Sequence, residues 1–203
     1  LTTARNEGCD ILTAVAPTEN RKEFLNFTEP YLSFPYVIVT RQEVGYIEKM
    51  DQVLDKKFAV VRGYAIIDEL KARYPALKIV LVDHNEAGLE KVMLKEVFGY
   101  IDAVPTVSHM IQTQNLSELK ISSQLDLTMD LAIGIIKRDL ILPGIMQKLV
   151  ETIDEKERRR IYNKWINVRY EQGFDYALFW KIFGIVSIVL IVILYWNRQL
   201  AVQ

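Results

Sequence analysis

Residues 176–196, YALFWKIFGIVSIVLIVILYW, make an apolar run of 21 residues whose one charge is Lys181. A helix rises about 1.5 Å per residue, so this run is roughly 30 Å long, the thickness of a bilayer's hydrocarbon core. Tyr176, Trp180, Tyr195 and Trp196 lie near its two ends, where amphipathic rings sit at a membrane–water boundary. Lys181 is close enough to one end to reach that boundary with its ammonium. A buried core helix is the competing reading, but the run is rich in β-branched residues and nothing after it could supply the rest of a core. The pattern predicts a transmembrane helix over 176–196. Arg198 follows it while Arg169 and Lys181 precede or begin it, so the basic residues do not orient it.

With that segment set apart, the charges have a place. No Asp or Glu follows Asp175, so residues 1–175 hold all 26 acidic residues against 23 of the 25 basic ones, a net −3. That describes a mildly acidic domain, long enough for a sizeable core, and not a nucleic-acid platform. Half the residues are hydrophobic and a quarter are charged, which excludes a disordered chain. One cysteine, Cys9, excludes an intrachain disulfide. The two histidines, His84 and His109, are far apart and have no zinc-site spacing. No cofactor or metal is implied.

Short apolar runs then alternate with amphipathic stretches. Strands are predicted at 11–15 (ILTAV), 36–40 (YVIVT), 57–61 (KFAVV), 78–82 (KIVLV), 101–104, around Ile121, and at 131–136 (LAIGII). A helix is predicted over 65–73, ended by Pro75, and another over 86–97, opened by Asp83, His84 and Asn85 and stopped by Gly99. Further helices are predicted over 108–114 and 139–150, the latter with Pro143 in its first turn. Thr152 and Glu155 read as a capping box that opens a last helix running to Trp165. Its inner side would carry Ile153, Ile161 and Trp165, with 158–160 (RRR) facing outward. This alternation predicts an α/β architecture with largely parallel sheets. The opening 1–6 reads as the tail of a helix stopped by Gly8, so the domain is expected to lack its first elements.

Such sheets take ligands at the carboxyl ends of their strands. Arg62-Gly63-Tyr64-Ala65 is a loop of that kind: the glycine permits a tight turn just where a helix starts, and free N–H groups there can receive a carboxylate. Arg21 follows the strand at 11–15, and a fixed guanidinium at such a place can grip a carboxylate with two parallel hydrogen bonds. On spacing alone an ordinary surface arginine, or one in a salt bridge at a helix start, is the better reading. No phosphate-binding loop, dinucleotide fingerprint or nucleophile elbow is present, and no acid–base pair stands out. No enzyme activity is expected within this chain.

Several blocks carry a resemblance. Gly8-Cys9-Asp10-Ile11, Thr18-Glu19-Asn20-Arg21 and Phe27-Thr28-Glu29-Pro30-Tyr31 resemble the sequences of family 3 periplasmic solute-binding proteins. So do 60–63 (VVRG), Glu86-Ala87 followed by Gly99-Tyr100-Ile101-Asp102-Ala103, and 157–165 (ERRRIYNKW). The likeness covers residues 1–168. Tyr195-Trp196-Asn197-Arg198-Gln199-Leu200, directly after a membrane span, is similar to the junction in membrane sensors. In those, a periplasmic binding domain feeds a cytoplasmic histidine kinase or diguanylate cyclase.

The resemblance implies a two-lobed α/β clamshell, with the first part of lobe 1 missing, followed by one transmembrane helix. Lobe 1 would comprise 1–35 and about 130–168, and lobe 2 about 42–125, with crossings near 36–40 and 124–129. A juxtamembrane connector at 169–175, the span 176–196 and the start of a cytoplasmic segment at 197–203 would follow. Residues 1–175 would then be periplasmic, on a bacterial inner membrane. Arg21 would bind a ligand carboxylate, and the lobe 2 loop Gly63, Tyr64 and Ala65 would meet the same group, although the family usually has Thr or Ser where Tyr64 stands. Thr13 and Thr106 would be further ligand contacts, while Ala14 and Ala16 have no hydroxyl to offer.

Amino-acid-binding members often carry an Asp five residues after the position of Asp102, to pair with the ligand ammonium. Here that residue is Val107, so the cleft is expected to lack this carboxylate and to favour a carboxylate or another small solute over an ordinary α-amino acid. Asp102 is expected to support the strand turn. The function implied is extracytoplasmic binding of a small solute as the input of a transmembrane signalling receptor. Its implied partners are the ligand, the lipid bilayer, an output domain in the same full-length chain and a second copy in a homodimer. The rival readings are a membrane-tethered solute-binding component of an amino-acid-type ABC transporter, a dehydratase-like enzyme with an acid–base pair facing the cleft, and a purely structural anchored domain.

Overall fold

The computed structural model describes residues 2–5, 8–165, 180, 183–187, 193, 196 and 198. The chain forms two compact units, Leu1–Tyr170 and Glu171–Gln203. The first contains α1 (Thr2–Arg5), β1 (Ile11–Val15), α2 (Glu19–Lys22), β2 (Leu25–Phe27), β3 (Leu32–Arg41), a 3₁₀ turn (Met50–Val53), β4 (Lys57–Val61), α3 (Ile66–Arg73) and β5 (Lys78–Val82). It continues through α4 (Asn85–Met93), β6 (Gly99–Ala103), α5 (Val104–Thr113), β7 (Leu119–Ile136), α6 (Leu142–Glu151) and α7 (Glu155–Trp165).

The strands run in the order β1-β7-β3-β6-β4-β5, with β2 also paired to β7. Only β4–β5 and β4–β6 are parallel; β3–β6, β3–β7, β1–β7 and β2–β7 are antiparallel. The expectation of largely parallel sheets is therefore corrected to a mixed one. Local apolar pattern reports that a strand is buried, not which way its partner runs.

Burial follows the two-residue period of a strand. Along β4, Phe58 and Val60 enter one core cluster with Ile38, Ile66, Leu70 and Ile101, while Ala59 and Val61 enter another with Val39, Leu89, Val92 and Val107. Helix α3 thus covers one face of the sheet, and α4 and α5 the other. Full coverage on both faces explains why β4 reads as an unbroken apolar run.

The largest departure from expectation is β7. The strands predicted around Ile121 and at 131–136 are parts of one 18-residue strand. The intervening SSQLDLTMD looks like a loop because it is polar, yet Leu125, Leu127, Met129 and Leu131 alternate onto one face and join the first cluster. Strand β3 pairs with β7 from Leu32↔Leu131 to Arg41↔Leu119, with irregularities between Pro35 and Val37 and between Ile38 and Val39. These two long strands run through both halves of the sheet system and join them.

The helix ends also differ in detail. Helix α4 stops at Met93, followed by Lys95 at φ 62°, and Gly99 instead opens β6. Helix α5 begins at Val104, four residues earlier than expected, with Pro105 in its first turn. Asp139 accepts hydrogen bonds from the Ile141 and Leu142 N–H groups at 2.9 and 2.8 Å, so α6 starts at Leu142 rather than at 139. At α7 the cap is Asp154, which accepts from Glu157 N–H at 2.7 Å. The Thr152 hydroxyl donates back to the Leu149 carbonyl, also at 2.7 Å. The inner side of α7 carries Tyr162, stacked on Phe34 with centroids 5.7 Å apart, whereas Ile161 is exposed.

In the second unit the described residues are helical, and Trp180 meets Phe183 edge-on at 5.7 Å. Among the described residues no helix is long and apolar enough to cross a membrane. Most of the run 176–196, all of the connector 169–175 and all of 197–203 except Arg198 lie outside them.

Candidate functional site

The end of β1, the loop after β4, the end of β6 and the middle of β7 converge on one cleft. Its cavity measures about 430 Å³ and is lined by Leu12, Thr13, Ala14, Val15, Ala16, Arg21, Tyr36, Tyr64, Ala65, Asp102, Thr106, Met129 and Leu131. A neighbouring cavity of about 510 Å³ shares Arg21, Tyr64 and Ala65 with it and adds Gly63, Arg5, Asn20, Phe24 and Asp68. Thr13, Arg21, Tyr64, Ala65 and Thr106, singled out from the sequence, thus share the first cavity. Gly63 lies on the second.

Arg21 is placed by a short device. Thr18 is extended at the N-cap of α2 and accepts the Arg21 N–H through its hydroxyl at 3.3 Å. The turn it sets carries the guanidinium back over the chain. Nη1 donates to the Ala16 carbonyl at 2.7 Å, and Nη2 donates across the cleft to the Gly63 carbonyl at 3.2 Å. Partial burial pulls the guanidinium below its ordinary pKa, with Tyr36 working the other way. It stays cationic at physiological pH. Gly63 sits at φ +79° with open space where a Cβ would stand, so the glycine is there for its backbone angle and not for room.

Asp102 is the buried charge of the site. It is 1% exposed, accepts from the Tyr100 hydroxyl at Oδ2 (2.6 Å) and from its neighbour Ala103 N–H at Oδ1 (2.7 Å). Burial pushes its carboxyl up to about 6, and those two hydrogen bonds hold it from rising further. Burial, and then Asp102, likewise raise Tyr36, Tyr64 and Tyr100, which remain protonated donors. Among the described residues the Tyr36 hydroxyl has no protein partner, although the side chain is 2% exposed and lines the cavity.

Position 107, where amino-acid-binding members often carry an Asp, supplies no carboxylate, but another acid lines the cavity. Val107 is fully buried in the core because α5 begins at Val104, which turns Thr106 toward the cavity and Val107 away from it. Asp102, expected to support the strand turn through its hydrogen bond from Ala103 N–H, also lines the cavity. The signal for it was readable: a lone acid in the otherwise apolar strand 99–103 (GYIDA), every residue of which is buried. Tyr36 and Met129 carried no such signal, since both sit on long crossing strands whose apolar neighbours mask them.

Two halves of an α/β sheet system joined by two long strands, with a polar cleft where they meet, define a two-lobed solute-binding domain. The sequence profile of bacterial extracellular solute-binding proteins, family 3, matches residues 1–168, and the chain belongs to that family. It is 27% identical over 162 residues to the virulence sensor protein BvgS of Bordetella pertussis strain Tohama I, a match covering 79% of this chain and 13% of that protein. It is 25% identical over 166 residues to the sensor protein EvgS of Escherichia coli K12, with the same coverage of each chain. The chain therefore spans about an eighth of the length of these relatives. Among solved structures, the periplasmic VFT2 domain of B. pertussis BvgS is similar with a TM-score of 0.74 at 27% identity, covering 81% of this chain and 70% of that one.

Proposed function

We propose that residues 1–168 bind a small solute carrying a carboxylate, outside the bacterial inner membrane, as the input of a transmembrane signalling receptor. One observation carries the reading. The Arg21 guanidinium stands between two walls of a cleft and, with two of its five N–H groups given to backbone carbonyls, keeps three for an anion among the described residues. Thr13 and Thr106 supply hydroxyls, and the Gly63-Tyr64-Ala65 loop closes on the same group from the other side. The similarity to BvgS and EvgS sensor proteins supports the signalling role over that of a transporter component.

In this reading lobe 1 is 1–35 with about 130–168, and lobe 2 is about 42–125. The connector 169–175 links the domain to a span over 176–196, and 197–203 leads to a cytoplasmic output domain of the histidine kinase kind. Two copies work as a homodimer. A ligand transmits a signal only to the extent that it binds the closed lobes more tightly than the open ones.

The test is calorimetry of the whole 203-residue chain in nanodiscs against a panel of amino acids and organic acids, beside Arg21→Ala. A saturable heat with a carboxylate is expected, weakened about thirtyfold or more in Arg21→Ala, on the order of 2 kcal/mol for a charge-assisted contact. An affinity that Arg21→Ala leaves unchanged while the circular dichroism spectrum is intact refutes the role of Arg21.

A further inference from the structure

The wall of the cleft is tied to residues behind it by an unbroken chain of hydrogen bonds. The Tyr64 and Tyr100 hydroxyls stand 3.1 and 3.0 Å from Asn85 Oδ1, and the Tyr100 hydroxyl stands 2.6 Å from Asp102 Oδ2. Tyr64 and Asp102 line the cavity, whereas Asn85 and Tyr100 do not. The ring of Tyr100 is fully buried against Gly88, where a Cβ would lie 2.5 Å from Cδ2. Tyr100 therefore cannot swing away from either neighbour.

Tyr100 has one hydroxyl proton and two acceptors within reach. When Asp102 is neutral, its own proton goes to Tyr100 Oη, Tyr100 donates to Asn85 Oδ1, and Tyr64 donates to the second lone pair of the same oxygen. Every hydroxyl proton is used, and Tyr64 shows the cleft only lone pairs. When Asp102 is charged, the Tyr100 proton must go to Asp102, because an unpaired buried carboxylate is far costlier than an unpaired amide. Asn85 Oδ1 then faces the lone pairs of Tyr100 at 3.0 Å. The amide relieves this by turning its NH₂ to Tyr100 and Tyr64, and the Tyr64 proton is released toward the cleft.

We propose that Asn85 and Tyr100 are positioning residues that set the hydrogen-bonding polarity of the cleft. Through the single hydroxyl proton they share, Tyr64 is a donor to the ligand when Asp102 is charged and an acceptor when Asp102 is neutral. A ligand group beside Tyr64 is thus matched in two forms, an acceptor such as a carbonyl in the first and a donor such as a hydroxyl or amine in the second. The groups facing Asp102 are Tyr100 on its own strand, Tyr36 from β3 and Tyr64 from the β4–α3 loop, and Glu86 from α4 acts in turn on Tyr64 and Tyr100. Arg21 lines the same cavity. The inference rests on the reading of the cleft as the ligand site, but its test needs no ligand, so either can fail alone.

The test is carbon-13 and nitrogen-15 NMR of the ligand-free 203-residue chain in nanodiscs, following the Asp102 carboxyl and the Asn85 side-chain amide from pH 4 to 8. In the wild type the two are expected to move together with one midpoint near 6. In Tyr100→Phe the Asp102 midpoint rises by about one pH unit or more, because its charged form loses a donor, and the Asn85 amide no longer follows. In Asp102→Asn, which presents an NH₂ to Tyr100 and cannot ionise, the amide stays in its low-pH form throughout. Solvent entry from mere loosening would lower the midpoint in Tyr100→Phe and so has the opposite sign. The proposal is overturned if the wild-type amide is unmoved across the Asp102 midpoint. It is overturned equally if the amide moves as much in Asp102→Asn, since a group other than Asp102 would then be the cause.

Discussion

Asp102→Asn is expected to make the protein more stable at neutral pH, and the size of the gain follows from where the carboxyl sits. Burial lifts its pKa to about 6. An unfolded chain holds the same group near 3.9, so the difference is about two pH units, or about 3 kcal/mol. The sign is that of a raised carboxyl. Between about pH 4 and 6 the folded chain keeps a proton that the unfolded chain has released, so stability from this group is complete below about 4 and lost as pH rises to about 6. Asparagine cannot ionise and keeps the neutral pattern, with its oxygen on the Ala103 N–H and its NH₂ on Tyr100. The stability difference, variant minus wild type, should therefore be small near pH 4, climb through pH 6 and level off at up to about 3 kcal/mol at pH 7. Urea unfolding of both chains in nanodiscs, followed by far-ultraviolet circular dichroism at matched pH values, measures it, with equal slopes confirming comparable unfolded states. Subtracting the curves removes the contributions of Asp139 and Glu155, whose carboxyls are held below their usual values in both chains. A variant less stable than wild type at pH 7, or a difference that does not vary between pH 4 and 7, refutes the burial argument.

Other substitutions read other parts of the site. Gly63→Ala meets no atom but forces an alanine to φ +79°, and should cost about 1 kcal/mol in chemical unfolding; no change at all would show that the loop relaxes freely. Gly88→Ala is a packing clash with the Tyr100 ring, expected to cost about 1–3 kcal/mol and to shift the Asp102 carboxyl resonance with it. Arg21→Lys keeps the charge but cannot span both the Ala16 and Gly63 carbonyls while offering a fork to an anion. Calorimetry should show it binding almost as poorly as Arg21→Ala. Tyr162→Ala removes the stack on Phe34 and should expose α7 to faster amide exchange while leaving β4 and β6 protected.

Where a residue's role is local, its sequence neighbourhood already reports it. Strand β4 appears at 57–61 as an apolar run because burial on both faces leaves no polar alternation to confuse, and β5 at 78–82 reads the same way although it is an edge strand with Leu81 exposed. Pro143 falls in the first turn of α6, where its missing N–H costs nothing. The turn at Gly63, expected from its place after a strand, is a short-range device of the same kind, with φ +79°. Harder cases involve balance between near-equal local signals. Thr152 and Asp154 are both good caps, and the choice of Asp154 depends on where α6 ends.

Strand direction, the union of two expected strands into β7 and the company kept by Asp102 were settled by long-range pairing. The pairing of Leu32 with Leu131 and of Tyr36 with Ala103 draws together residues that are roughly seventy to a hundred positions apart. No window of local sequence contains both members of such a pair. The linear order of side chains determined which segments are apolar and that a helix follows each of the strands β4, β5 and β6. Only the tertiary structure decided that Arg21, Tyr36, Tyr64 and Asp102 face one cavity, because burial and charge at that point are properties of the assembled walls and not of any one strand.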